Sequence, residues 1–244
     1  MSLNKKLFWG GLGWVLGGPI GGILGYAWAS MSDSSSIKNF QNNQTNYRNV
    51  NTKPGDFIVS LMVLFAKVMK ADNKLLRSEL NYVKDFLNKE LKSSDVQYFM
   101  ILFKDILKQD YPLKDVCKQI QRSMDHPSRI ELIHILFGLA FSDKHIDDAE
   151  IKVIHTIAGY LNINQKDYES IKAMFIKDNT YAYKILELDP LCNNDELKKG
   201  YRKMANKYHP DKVSHLGIDF QHIAEEKFKA VNNAYQTIKK ERKI

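Results

Sequence analysis

Three consecutive residues, His209, Pro210 and Asp211, carry the densest chemistry in this 244-residue chain. An imidazole, a rigid ring and a carboxylate follow one another at the end of a strongly basic segment. Asp195 to Tyr208 reads as one helix of ~3–4 turns, with Leu197, Tyr201, Met204, Ala205 and Tyr208 recurring on one face. Lys198, Lys199, Arg202, Lys203 and Lys207 fall largely on the rest of its surface. Pro210 cannot continue that helix, and His209 before it is pushed out of the α region. The tripeptide is therefore expected in a loop beside a cationic helix face, a surface that steers toward an acidic partner. No Ser/His/Asp triad, P-loop or nucleotide-binding glycine fingerprint accompanies it, so docking is expected and an enzyme is not.

Two flanking segments must position that loop. Tyr181 to Leu188 reads as a short helix ending near Asp189-Pro190. Ile218 to Lys240 reads as a long amphipathic helix whose Ile223, Phe228, Val231, Tyr235 and Ile238 can pack back on the basic helix. With Tyr183, Ile185-Leu186-Glu187-Leu188, Leu197 to Ala205 and Tyr208-His209-Pro210-Asp211-Lys212 in that order, residues 181–244 resemble a J-domain, the DnaJ-type co-chaperone module. The resemblance implies an antiparallel helical hairpin that docks on a DnaK-type chaperone. It implies Lys198, Arg202, Lys203 and Lys207 as partners for that chaperone's carboxylates, Tyr201 as added contact area, and His209, Pro210 and Asp211 as a rigid trigger. Gly200 stands where the family usually has alanine, at a cost of ~1 kcal/mol in helix propensity.

Composition narrows the setting. Cys117 and Cys192 lie in unrelated segments, which is neither a disulfide framework nor a zinc pattern and favours a reducing compartment. Lys plus Arg against Asp plus Glu is 5 against 1 for residues 1–55, 18 against 18 for 56–180 and 13 against 9 for 181–244. The neutral middle argues against a nucleic-acid binder despite the net charge of +8.

Residues 1–31 form a glycine-rich segment in which Leu7 to Met31 carries no charge. Twenty-five residues reach ~37 Å as a helix, against a bilayer core of ~30 Å. Gly13, Gly17, Gly21 and Gly25 share one face, the spacing that lets two helices approach closely in lipid. A single-pass anchor that self-associates is the expectation; a cleaved signal peptide ending near Ala27-Trp28-Ala29 and a peripheral insertion are the alternatives. Residues 32–55 form an Asn/Gln/Ser-rich linker, too polar to fold alone.

Residues 56–180 read as all helix, with candidates at about 57–70, 77–89, 94–109, 112–122, 128–141, 148–161 and 165–176. His134 and His155 fall on apolar faces and read as core histidines. A repeat of period 71 relates Ala71-Asp72…Leu75…Glu79 to Ser142-Asp143…Ile146…Glu150. That paired pattern resembles the TerB domain, named from tellurite-resistance proteins. The resemblance implies divalent-metal binding by Asp72, Glu79, Asp143 and Glu150, since hard cations favour grouped carboxylates. Helix capping, with Asp147 and Glu150 at one helix start and Asp72 and Asp143 ending turns, is the competing reading of the same residues.

The fold expected is all-α: an N-terminal transmembrane helix, a seven- or eight-helix TerB-like bundle and a C-terminal J-domain. That order is similar to the DjlA-like membrane-anchored co-chaperones of bacteria. The function implied is stimulation of a DnaK-type chaperone's ATP hydrolysis, with no cofactor beyond that candidate metal. The location implied is the bacterial inner membrane, with both helical domains in the cytoplasm and homodimerisation through the glycine segment. The competing function is a metal- or stress-linked TerB-type scaffold in which the J-domain is secondary.

Overall fold

A computed structural model describes residues 54–91, 93–216 and 218–244. The glycine segment, its Gly13-Gly17-Gly21-Gly25 stripe and nearly all of the linker lie outside the described residues. Among the described residues no helix is long and apolar enough to cross a membrane.

Seven helices occupy the middle of the chain: α1 (Pro54–Met69), α2 (Arg77–Glu90), α3 (Ser93–Lys108), α4 (Leu113–Ser123), α5 (His126–Ala140), α6 (Asp148–Tyr160) and α7 (Gln165–Phe175). The starts follow from local chemistry. Asn164 accepts the Asp167 N–H, Asp125 accepts the Ser128 N–H, and Asp147 with Glu150 closes a capping box. Helices α1 and α5 bury nearly all of their length, Ile58–Ala66 and Ile130–Phe137 without a break, and are enclosed by their neighbours. Helix α1 packs against α3, α4, α5 and α6 and forms the axis of the bundle.

The period-71 repeat is structural. Asn73 and its counterpart Lys144 both adopt left-handed backbone, φ 62° and φ 70°. In each copy the preceding aspartate accepts the next-but-one backbone N–H at 2.9 Å, Asp72 from Lys74 and Asp143 from His145. In each copy the glutamate accepts the N–H three residues before it at 2.8 Å, Glu79 from Leu76 and Glu150 from Asp147. The two turns are the same device used twice.

The C-terminal unit holds α8 (Tyr181–Ile185), α9 (Asn194–Lys207), a 3₁₀ helix (Pro210–Leu216) and α10 (Ile218–Arg242). Helix α8 stops earlier than its sequence pattern suggests. Glu187 turns to φ 56°, which lets the Leu188 N–H reach back to the Tyr183 carbonyl at 2.9 Å. Asn193 caps α9, and Arg242 at the far end of α10 donates to the Pro190 and Cys192 carbonyls at 3.1 and 2.6 Å. The hairpin is clasped by Tyr201, stacked on Tyr235 at 4.4 Å with its hydroxyl 2.8 Å from Asn232. His155 is exposed rather than in the core; it meets Gln165 and the Tyr168 ring from outside. The buried stripe of α6 runs through Ile154, Ile157 and Ala158, and His155 lies just beyond its edge.

Gly200 has a packing reason. A Cβ there would lie 2.8–2.9 Å from three side-chain atoms of Leu188, which seats itself over the bare helix backbone. Gly200→Ala is therefore expected to lower the melting temperature despite alanine's propensity advantage of ~1 kcal/mol. In a Leu188→Ala background the same change is expected to raise it, and paired thermal melts of the four proteins check both signs.

Candidate functional site

His209, Pro210 and Asp211 sit where the basic helix ends. Only Tyr208, which caps α9, and His209 lie between α9 and the 3₁₀ helix; Pro210 and Asp211 open that 3₁₀ turn rather than lying in an extended loop. Proline at a first helical position is unstrained because its missing N–H has no partner there anyway. Asp211 donates its backbone N–H to His209 Nδ1 at 3.3 Å, and the imidazole stands edge-on to Phe228 of α10 at 6.2 Å. The Asp211 side chain is 89% exposed. Tyr208, one residue earlier, is buried and anchors the turn.

The cationic face divides in two. Lys198, Lys199 and Arg202 are exposed to solvent on α9. Lys203 and Lys207 are ion-paired instead. Lys203 binds the Glu187 carboxylate at 2.6 Å with its own side chain 63% exposed. Lys207 is bound by both Glu187 and Asp167 and keeps only 21% exposure. Asp167 belongs to α7, in the first bundle, so Lys207 bridges the two units. Burial pushes the Asp167 carboxyl up, but the bonds from Lys207 and from His126 (2.9 Å) outweigh it and hold it below the usual range. Tyr201, placed by the resemblance at a partner surface, is half-buried in the hairpin clasp.

Behind the turn lies a second bridge. Lys227 of α10 is 0% exposed and pairs with Glu131 of α5, itself buried among apolar neighbours. The Lys227 ammonium also stands 4.9 Å from the centre of the Tyr208 ring. Burial penalises both charges, raising the Glu131 pKa and lowering that of Lys227, and each partner opposes the shift of the other. The second oxygen of Glu131 has no hydrogen-bond partner. Nearby, Tyr208 donates to Ser170 at 3.2 Å and Ser170 donates to the Ile185 carbonyl at 2.8 Å. His134, fully enclosed beside Phe175, is held well below its ordinary pKa by burial.

Sequence reasoning missed Glu131, Asp167, Glu187 and Lys227. Two of them had a legible signal. Glu131 interrupts the apolar run from Ile130 to Ala140 of α5, which only it and His134 break with ionisable groups, and Lys227 occupies the stripe Ala224, Val231, Ala234, Ile238 at helical spacing. A charge on a buried stripe requires a partner.

The four carboxylates Asp72, Glu79, Asp143 and Glu150 do share one neighbourhood. Burial first, then Glu150, Asp72 and Asp143, push the Glu79 pKa up to about 7, and Glu150 is raised for the same kinds of reason. One oxygen of each, however, accepts a local backbone N–H. Among the described residues no group of three or more His, Cys, Asp or Glu side chains is arranged to hold a metal ion. Their observed work is capping.

Comparison with known proteins agrees with this division of the chain. Residues 59–173 match the tellurite resistance protein TerB family, and residues 181–244 match the DnaJ domain. The architecture is DjlA-like. The co-chaperone protein DjlA of Vibrio parahaemolyticus is 25% identical, with 76% of this chain and 78% of the relative covered. The DjlA protein of Coxiella burnetii is 22% identical with both chains covered in full. The chaperone protein DnaJ of Lactiplantibacillus plantarum is 48% identical over a segment covering 23% of this chain and 13% of that protein. No solved structure matches the chain. The DjlA-like order thus extends across both helical units, and the J-domain is the segment that full-length DnaJ shares.

Two outcomes test the electrostatics. Lys227→Met should cost about 3–5 kcal/mol by stranding a buried carboxylate, whereas Lys227→Met with Glu131→Leu should recover most of it, as a double-mutant cycle of chemical denaturation will show. Glu79 favours the folded state when protonated, a contribution complete below the ordinary carboxylate range and lost as pH rises through about 7. Glu79→Gln should therefore raise the melting temperature by a few degrees at pH 8 and leave it unchanged near pH 4.

Proposed function

We propose that the chain is a co-chaperone that docks on a DnaK-type chaperone and stimulates its ATP hydrolysis. The observation that carries the reading is the exposed His209-Pro210-Asp211 turn, fixed at the end of a basic helix by a buried Tyr208. Lys198, Lys199 and Arg202 present positive charge beside it, which speeds encounter with an acidic surface and loses force as salt rises. The rigid turn then supplies geometry that a free loop lacks. The co-chaperone names of the DjlA relatives point the same way.

The N-terminal segment completes the proposal. Its 25 uncharged residues suit a single span in the bacterial inner membrane, and the Gly13, Gly17, Gly21 and Gly25 stripe suits pairing of two such spans. Both helical units then lie in the cytoplasm, where ATP and the chaperone are. In this reading the tether and the TerB-like unit supply targeting.

His209→Gln should abolish stimulation of a purified DnaK ATPase while leaving far-ultraviolet circular dichroism unchanged, since the side chain is half-exposed and holds no core contact. Arg202→Glu should weaken it several-fold, and wild-type stimulation should fall above ~0.15 M salt, where screening acts within ~8 Å. A His209→Gln protein that stimulates like wild type refutes the proposal.

A further inference from the structure

An open cleft of about 670 Å³ lies between the start of α7 and the end of α9. Its walls carry His126, Lys166, Lys203, Lys207 and Lys212, with Asp167 and Glu187 set into them. The cations outnumber the carboxylates, and the two carboxylate side chains are each only 3% exposed. The cleft therefore presents net positive charge to solvent next to the trigger turn.

Asp167 is the unusual member. It sits on the TerB-like unit, yet one of its oxygens takes Lys207, a residue of the J-domain's cationic face. It is held in place from behind: Asn164 accepts its backbone N–H at 3.0 Å, and His126 binds its second oxygen at 2.9 Å. A carboxylate so fixed loses little further freedom when it binds an ammonium, so it competes well with any carboxylate arriving from outside. Glu187, of the J-domain itself, pairs with both Lys203 and Lys207; Lys203 lacks the second carboxylate that Asp167 gives Lys207, and it stays mostly exposed.

We infer that Asp167 is a built-in competitor of the chaperone: it occupies Lys207 as an acidic segment of the partner would, and holds that end of the docking face closed until the segment enters the cleft and displaces it. The inference rests on the co-chaperone reading above and adds regulation to the same surface. Displacement needs no separation of the two units, because the Lys227–Glu131 and Tyr208–Ser170 bridges lie behind the turn and are untouched by it. Docking then proceeds in two stages. The open residues Lys198, Lys199 and Arg202 make first contact, and Lys207 is handed from Asp167 to the partner.

The test uses the full chain and a purified bacterial DnaK. Asp167→Asn removes the charge and keeps the shape, so the concentration giving half-maximal ATPase stimulation should fall about three- to tenfold with the maximal rate unchanged. Asp167→Glu should stay near wild type. His126→Asn, which removes only the backing bond, should shift the half-saturating concentration in the same direction by less. Hydrogen exchange of the Lys207–Lys212 amides should speed up in Asp167→Asn without DnaK present. Unchanged exchange overturns the clamp whatever the ATPase does. Faster exchange with an unchanged or higher half-saturating concentration overturns its competition with the chaperone. A wild type that stimulates at no concentration overturns the co-chaperone reading instead, and leaves exchange to decide the clamp.

Discussion

The buried pair Glu131–Lys227 is the constraint on which the arrangement of the two units depends. Neither charge could be enclosed alone, because moving an unpaired ion out of water costs several kcal/mol. Each unit therefore carries a side chain that only the other can satisfy. Apolar packing between α7 and α8 would tolerate some sliding, whereas an ammonium that must meet a carboxylate within a dry seam accepts few registers. Tyr208 lies against that ammonium and donates to Ser170 of α7, so the residue immediately before His209 is fixed from the TerB-like side as well.

The fold was legible where local chemistry decides it. Pro127, Asp147 with Glu150, and Asn164 mark helix starts through groups any sequence displays, and helical periodicity supplies the rest. The helices of the bundle accordingly begin and end within one to three residues of their sequence patterns. The site was legible only in part. His209, Pro210 and Asp211 and the basic face are contiguous in the chain, and contiguity is what a motif records.

What escaped was contact across long separations. Asp167 and Lys207 are 40 residues apart, Glu131 and Lys227 are 96 apart, and no local rule links them. Lys203 and Lys207 look alike on a helical wheel, yet one is open and the other clamped. Both share Glu187, and the difference is set by the second carboxylate, Asp167, that the other unit supplies to Lys207 alone. Gly200 misled in the same way: as a helix residue it is a defect, and as a seat for Leu188 it is a fit. The 3₁₀ turn after His209 belongs here too, because proline forbids continuing the α-helix without saying what replaces it.

The duplicated helix pair has a consequence for synthesis. Helix α1 is enclosed by α3 through α6, and its own counterpart α5 follows 71 residues later in the chain. At a translation rate of ~5–20 residues per second, α1 waits about 4–14 s on the ribosome before its counterpart α5 is made. During that interval a largely apolar helix has only α3 and α4 of its covering helices to shield it. A nascent chain of this design exposes apolar surface of the kind that holding chaperones bind, before its J-domain has been made.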